Sequence, residues 1–480
     1  MSSIVYMRSK NGDKVYAYVN EKTESGYRRR CIGHIDKVTG EIVPNKERGD
    51  APAVATRSYG VNLLLRRISD DIGLTESIQV IFKDSWDSVL TFAFFTLCEG
   101  FHIGGLWRWL EFNETPRMWP LSVDQVNSIM KDITQERIDS FFRVWNNKMR
   151  NRGYIVSSVS TERTVSKESK NDFEKEFSTE IDVCFGKESG LPVAYRVHPT
   201  RYRSVTEMMA SIDWMKWLEG TDPMIFLTKE QTREIDVDSI INTKHPYILE
   251  LPPKDNLFES TISGFSTAEK GYLTGMEKSN LRIHGTDTNI YLLYDPMKAE
   301  IETSKFLEIM NRCKLELDNQ HYVASHSALY NRYFLFRGRG DLDFNSEEIM
   351  RNNRMAGFRV FISNGDTDTS WTLRLVERID NFTSMFERIR DDEDVSVIKL
   401  YAPSVMTSRW FIQFLAAILG ERLRQIISEA ELDETVESLL YQMKCMIRVD
   451  RSDRKRPLMS DVNGHQRAIL DRLIFTKVQG

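Results

Sequence analysis

The sequence predicts a mixed α/β protein, and three observations support this class. The chain has 480 residues, of which 41% are hydrophobic and 28% charged, a composition that supplies a sizeable core for two to four domains. Apolar residues recur at intervals of three and four through residues 62–149, as in helices. Short apolar runs that are typical of strands follow in residues 154–227, with a helical stretch between the last two.

The first 50 residues predict a small antiparallel sheet. Polar and apolar side chains alternate through residues 14–19 and again around residues 31–35, and Thr39 and Gly40 form a turn signal. A run of three arginines lies between these two strands.

Residues 60–150 predict a helical N-terminal domain built from short helices. Val126, Ile129 and Met130 have the spacing of one helix face. Ser122 followed by Gln125 fits a capping box, which marks a helix start.

Residues 151–285 predict the first part of an α/β core. The predicted strands are residues 154–156, 181–185, 192–197 and 224–227, and a helix over residues 205–218 joins the last two. Three strands, a crossover helix and a fourth strand form an order that is compatible with a ribonuclease H-like core, a mixed sheet with flanking helices.

The remaining chain predicts an insertion, the end of the core and a tail. Residues 286–350, with a charged helix from residue 297 to 318 and a turn-rich RGRGD stretch, are predicted to be an α+β insertion. Residues 351–425 resume the core with a strand, a long helix and an apolar helix, and residues 426–480 form a small C-terminal region.

Several functional classes are not supported by motifs. The chain has no P-loop, dinucleotide-binding, zinc-protease or nucleophile-elbow signature. His321 and His326 are five residues apart, which misses the i,i+4 spacing of a metal-binding pair on a helix, so no metal site is predicted. The five cysteines have no paired spacing and indicate reduced thiols. The net charge of −5 requires any nucleic-acid contact to come from local basic clusters.

No membrane segment or signal peptide is predicted either. The most apolar runs are far shorter than the ~20 residues that span a bilayer, and the first residues lack a charged segment followed by an apolar one. The expected location is the cytoplasm.

Several segments resemble, in order, those of one protein family. RCIGHID at residues 30–36 and TGEIVP at 39–44 are similar to its N-terminal KCIGKxDxxTGEIxP stretch. Residues 186–199 (GKESGLPVAYRVHP) resemble its second pair of core strands, and YDPMKA at 294–299 resembles the YYDPxKA motif before its insertion. FIQFLAAIL at 411–419 matches the helix after its last catalytic helix. The family is the insertion-sequence 4 superfamily of bacterial cut-and-paste transposases, which the chain resembles over nearly its whole length.

The resemblance implies DNA cleavage by two aspartates and a glutamate that hold two divalent ions. Carried over position by position, the three acids fall on Ser158, Thr228 and Thr383, none of which is acidic. Serine and threonine are neutral, weak ligands for Mg²⁺. The expected protein is therefore a DNA-binding relative without catalytic activity, which needs no cofactor.

Two alternatives remain open. In the first, relocated acids support an active Mg²⁺-dependent transposase or nuclease, with Asp182, Asp236 and Asp380 as the candidates near the three positions. In the second, the protein binds and regulates a related transposase.

The expected partner is double-stranded DNA, with a second copy of the chain or a related transposase as protein partners, and the bacterial nucleoid as the place of binding. Phosphate contacts need basic side chains. The candidates are Arg28, Arg29, Arg30, Arg390 and Lys399.

Overall fold

The computed structural model describes most of the chain. The described residues are 4–9, 14–23, 26–37, 39–44, 53–100, 103–117, 121–165, 175–198, 204–212, 217, 223–233, 237–243, 245–253, 255–263, 275–283, 285–337, 341–365, 367–387, 403–452 and 456–475. The chain forms two compact units. The smaller unit comprises Met1–Ser58 and Met446–Val462, and the larger unit comprises Tyr59–Cys445 and Asn463–Gly480.

The described secondary structure is as follows. The strands are β1 (Ile4–Arg8), β2 (Val15–Thr23), β3 (Gly26–Ile35), β4 (Ile42–Pro44), β5 (Ala53–Ser58), β6 (Tyr154–Val165), β7 (Lys175–Gly186), β8 (Pro192–His198), β9 (Met224–Leu227), β10 (Tyr247–Leu251), β11 (Gly275–Ile283), β12 (Thr286–Tyr294), β13 (Phe334–Arg337), β14 (Asp341–Phe344), β15 (Phe358–Ser363), β16 (Ile447–Arg451) and β17 (Leu458–Met459). The helices are α1 (Gly60–Asp71), α2 (Leu74–Ile81), α3 (Trp86–Glu99), α4 (Leu106–Phe112), α5 (Val123–Asp132), α6 (Gln135–Met149), α7 (Val205–Ile212), α8 (Lys229–Thr232), α9 (Val237–Asn242), α10 (Asn256–Ser263), α11 (Pro296–Asp318), α12 (Ser327–Tyr333), α13 (Ser346–Met355), α14 (Thr369–Glu387), α15 (Pro403–Glu429), α16 (Val436–Lys444) and α17 (Gly464–Phe475). Short 3-10 turns lie at Ile103–Gly105 and Ala324–His326.

The smaller unit contains two antiparallel sheets. The first has the order β1-β2-β3-β4, as the alternating pattern near the N-terminus predicts. The second has the order β17-β16-β5. The C-terminal region predicted for residues 426–480 is therefore not one block, because pairing of β16 with β5 brings its middle into the smaller unit.

The larger unit contains an eight-stranded mixed sheet in the order β11-β12-β15-β10-β9-β6-β7-β8. β6, β7 and β8 are antiparallel, and β9 runs parallel to β6 on its other side. α7 lies between β8 and β9 in the chain, as predicted for the crossover. β10 continues parallel to β9, and β15 is antiparallel to β10. This arrangement confirms the mixed α/β class.

Helices of residues 60–150 pack with α15 against this sheet. Phe142 of α6 contacts both Tyr195 of β8 and Phe414 of α15, with ring centroids 5.3 and 5.4 Å apart. Residues 410–419 of α15 are all buried, and all of them except Gln413 are apolar, as expected for a helix that is enclosed on every side. The predicted capping box of Ser122 and Gln125 is present at the start of α5. Among the described residues, no helix is long and apolar enough to cross a membrane.

The segment predicted to be an insertion, residues 286–350, contributes one strand to the large sheet. β12, its first element, belongs to the large sheet between β11 and β15, because its apolar residues pair across to β15. The helices α11, α12 and α13 and the β13–β14 hairpin follow, and they enclose a separate small core that includes Met310, Cys313 and Tyr333. Asp295 caps α11 by accepting a hydrogen bond from the backbone N–H of Lys298 over 3.0 Å.

Candidate functional site

The long helix α14, on which the resemblance places the catalytic glutamate, lies against one face of the large sheet. Phe382 of α14 meets Phe185 of β7 edge to face, with ring centroids 5.4 Å apart. Val183 lies two residues before Phe185, so the two side chains share a face of the sheet. Tyr195 of β8 pairs with Val183 and packs on Phe142 of α6, so this helix lies on the same side. We call this side of the sheet, marked by Phe185 and Tyr195, the helix face.

Ser158, the expected first triad position, lies on the other side of the sheet. The β6–β7 register pairs Ile155 with Phe185 and Ser158 with Asp182. Because side chains alternate along a strand, Ser157 shares the helix face with Phe185, whereas Ser158 does not. Both serines are buried, and Ser157 Oγ has no hydrogen-bond partner within the described part of the chain.

Thr228, the expected second position, directly follows β9 and begins the one-turn helix α8. Its backbone N–H donates to Gln231 Oε1 over 3.0 Å, and its hydroxyl also bonds this amide oxygen. Such contacts are typical of a residue at a helix start. The hydroxyl of Thr228 therefore stabilises the turn after the strand.

Thr383, the expected third position, lies near the end of α14. Its hydroxyl donates to the backbone carbonyl of Ile379, one turn earlier, over 2.8 Å. The hydroxyls of Thr228 and Thr383 are both engaged locally, and neither carries a charge. These positions therefore do not supply the carboxylates that a pair of hard divalent ions requires.

The alternative acids do not converge. Asp182 is buried on the face opposite α14, where its Oδ2 lies 3.1 Å from His198 Nε2. Asp380 lies on α14 and contacts the helix face through Arg359. Asp236 lies outside the described residues. A sheet therefore separates Asp182 from Asp380, and one metal ion cannot bind both.

The structure brings together three charged residues that the sequence analysis did not connect. Arg359 of β15 donates to both carboxylate oxygens of Glu250 of β10, over 2.7 and 2.9 Å. It also donates to Asp380 Oδ2 over 2.5 Å. The backbone N–H of Lys229, next to Thr228, donates to Glu250 over 3.2 Å. One guanidinium thus links the sheet, the long helix and the turn after β9.

This charged cluster is largely shielded from solvent on its sheet side. The side chains of Arg359 and Glu250 are 8% and 2% exposed, whereas that of Asp380 is 45% exposed. Burial alone would raise the pKa of Glu250, but the Arg359 guanidinium outweighs it and holds this pKa below its usual value. Glu250 is therefore ionised, and its charge is compensated by Arg359.

A third carboxyl group lies near the exposed end of the cluster. Glu377 is one turn before Asp380 on α14, and burial followed by the charge of Asp380 raises its pKa above the usual value. The pKa values of Glu250 and Glu377 are thus shifted in opposite directions.

A sequence signal for this cluster exists. Glu250 interrupts the apolar strand β10 (YILEL), and Arg359 interrupts the apolar strand β15 (FRVFIS). Opposite charges in two otherwise apolar strands indicate a buried ion pair, since a lone buried charge is costly.

The predicted DNA-contact arginines are divided between two faces of the first sheet. Arg28 and Arg30 lie on one face of the sheet, and Arg29 lies on the other face. Val19 of β2 pairs with Arg30 and therefore shares the face of Arg28 and Arg30. Arg29 donates to Asn20 Oδ1 over 3.3 Å. All three arginines are exposed.

The face of Arg28 and Arg30 carries a third arginine and an aromatic ring. Ile4 pairs with Val19, so Ile4, Tyr6 and Arg8 of β1 lie on the same face. Tyr6 is 54% exposed. We call Arg8, Arg28, Arg30 and Tyr6 the basic face. Such a combination suits phosphate contact. The other two candidates, Arg390 and Lys399, lie outside the described residues.

Comparison with known proteins adds no family assignment. No protein-family model matches the chain, and no curated protein matches it significantly.

Proposed function

We propose that the protein is a DNA-binding relative of cut-and-paste transposases, with a ribonuclease H-like core that does not cut DNA. The observation that carries the proposal is a mixed sheet of the expected strand order that lacks acids at the expected positions. The sheet supplies three antiparallel strands, a crossover and a parallel fourth strand, with a long helix across one face.

The absence of cutting is supported by the contacts of Arg359. Glu250 and Asp380 are the described carboxylates that face each other between sheet and helix, and Arg359 binds both. A guanidinium carries a permanent positive charge and fixed hydrogen-bond directions, so it compensates these acids without a metal ion. Because the acids lie beside a cation, a divalent ion would have to displace Arg359 before it could bind.

DNA binding is supported by the basic face of the smaller unit. Arg8, Arg28 and Arg30 are exposed and place positive charge on one face of the β1–β4 sheet. Phosphate contacts of this kind depend on charge and not on base sequence. The resemblance to transposases makes double-stranded DNA the proposed partner, and the expected place of action is the bacterial nucleoid.

The test measures binding of the full chain to a labelled DNA duplex by fluorescence anisotropy. We expect binding at about 50 mM salt that weakens about tenfold or more at about 200 mM, as expected for two or more phosphate contacts. The double variant Arg28→Glu/Arg30→Glu should lose most of this affinity. Arg29→Glu, on the other face of the same strand, is the matched control and should retain more.

Two outcomes would overturn the proposal. One is no measurable DNA affinity at low salt. The other is equal loss of affinity in the control and the double variant, which would exclude the basic face as the contact surface.

A metal-dependent nuclease with relocated acids is the second candidate function. Glu250, Glu377 and Asp380 cluster on the helix face and favour it. Incubation of duplex DNA with the protein and Mg²⁺ or Mn²⁺ tests it. Strand cleavage that Asp380→Asn abolishes would establish this second function, whereas no cleavage with either ion supports the first proposal.

A further inference from the structure

The separate small core after β12 contains three potential metal ligands from two segments of the chain. Cys313 and Glu316 lie one turn apart on α11, so their side chains share one side of the helix. His326 ends the 3-10 turn that precedes α12. One ligand atom from each residue lies within 4.8 Å of the other two.

We propose that Cys313, Glu316 and His326 bind one Zn²⁺ ion. The site is separate from the proposed function, because none of its residues belongs to the sheet or to the basic face. Thiolate, imidazole and carboxylate are the protein ligands that zinc takes, and three of them leave a fourth tetrahedral position for water.

The three ligand atoms reach the spacing of a zinc site by small side-chain movements. Tetrahedral zinc with bonds of about 2.0–2.3 Å places its ligand atoms about 3.5 Å apart. His326 Nδ1 and Glu316 Oε2 are 2.8 Å apart, so these two atoms need to separate by about 0.7 Å. The thiol of Cys313 lies within 4.8 Å of both and needs to approach by about 1.3 Å at most, a distance that a side-chain rotation covers.

Tyr330 of α12 orients the carboxylate of the site. Its hydroxyl donates to Glu316 Oε2 over 2.5 Å and accepts from the backbone N–H of Val323 over 3.1 Å. Hydrogen bonds of this kind position the ligands in many metal sites.

Zinc binds cysteine as the thiolate, so binding of Zn²⁺ replaces the thiol proton of Cys313 with a zinc–sulfur bond and releases that proton to solvent. In the metal-free protein, Nδ1 of His326 and Oε2 of Glu316 lie 2.8 Å from each other instead.

The experiment titrates the metal-free full chain with Co²⁺, which takes the same tetrahedral ligands as zinc and absorbs light. We expect one equivalent to bind and to give thiolate-to-cobalt charge-transfer absorption that one equivalent of Zn²⁺ removes. Cys313→Ser should abolish this absorption, and His326→Gln should weaken binding at least about tenfold.

Two matched controls accompany these variants. His321→Gln changes an exposed histidine near the site, and Cys445→Ser changes an exposed cysteine outside the small core. Both should bind Co²⁺ as the unmodified protein does. Circular dichroism of each metal-free variant checks that the chain is folded.

Three results would overturn the inference. They are the absence of one-equivalent Co²⁺ uptake, charge-transfer absorption that persists in Cys313→Ser, and loss of the absorption in Cys445→Ser.

Discussion

Arg359 and Glu250 lie on the adjacent strands β15 and β10, and their side chains share two hydrogen bonds of 2.7 and 2.9 Å. The residues are 109 positions apart in the sequence. Because both side chains are buried, each charge depends on the other for compensation. This pair leads to the first two predictions.

Arg359→Met should destabilise the protein strongly, because it leaves the buried Glu250 carboxylate without its partner. We expect a loss of about 3–5 kcal/mol in the free energy of unfolding, measured by urea denaturation. The double variant Arg359→Met/Glu250→Leu should recover most of this loss, since it removes both charges. Arg282→Met, at an exposed pair 4.0 Å from Asp287, is the control and should change stability by less than about 0.5 kcal/mol. The prediction would be contradicted if Arg359→Met were as stable as the control Arg282→Met.

The lowered pKa of Glu250 predicts a loss of stability in acid. A carboxyl group whose pKa is lower in the folded state stabilises the fold above its unfolded pKa, and this contribution is lost as pH falls through the folded value. The stabilisation from Glu250 should therefore be complete above its ordinary pKa of 4.5 and decline below it. Urea midpoints measured across this range should fall less steeply in Arg359→Met/Glu250→Leu than in the unmodified protein. Equal slopes would show that Glu250 does not contribute.

Ser157→Ala should stabilise the protein. Ser157 Oγ is buried and has no hydrogen-bond partner in the part of the chain that the structure describes, so its hydroxyl is desolvated without compensation. We expect a gain of about 1 kcal/mol in thermal or urea unfolding. Ser158→Ala, at the neighbouring buried position that takes part in polar contacts, is the control and should give no gain. Destabilisation by Ser157→Ala would indicate that its hydroxyl has a role in the fold.

Gly190→Ala should destabilise the turn between β7 and β8. Gly190 has φ of +68°, and an added Cβ would lie 2.4 Å from Arg378 Nη2. Arg378 is not free to move away, because its Nε donates to Glu421 over 3.0 Å. We expect a loss of about 1–3 kcal/mol, from backbone strain together with the displaced ion pair. Gly285→Ala is the control. Gly285 has φ of +81°, and an added Cβ would have nothing within 4 Å, so this variant measures the backbone strain alone. If Gly190→Ala loses no more stability than Gly285→Ala, the contact with Arg378 does not contribute to the loss.

Local patterns predicted much of the secondary structure. The start of α5 at Ser122 and the strand β9 follow from short-range signals, a capping residue and an apolar run. β10 is absent from the predicted elements, because a five-residue apolar run does not by itself distinguish a strand from a buried helix segment. The sequence analysis did not place β12 in the main sheet, because its pairing with β15 joins segments that are distant in sequence.

The candidate site was predicted less completely than the fold. The residue types at positions 158, 228 and 383 are read directly from the sequence, but the face of each side chain is not. A difference of one residue in strand register moves a side chain from one face to the other, which is why Ser157 and not Ser158 faces α14. The same alternation separates Arg29 from Arg28 and Arg30.

The sequence by itself determined the mixed α/β class, the small N-terminal sheet and the neutral residues at the three positions assigned by resemblance. These features depend on composition and on patterns within a few neighbouring residues. Only the tertiary structure decided that Glu250, Arg359 and Asp380 meet, and that Asp182 lies on the opposite face. The physical reason is that a sheet pairs strands from distant parts of the chain, and that pairing sets which charges are buried together.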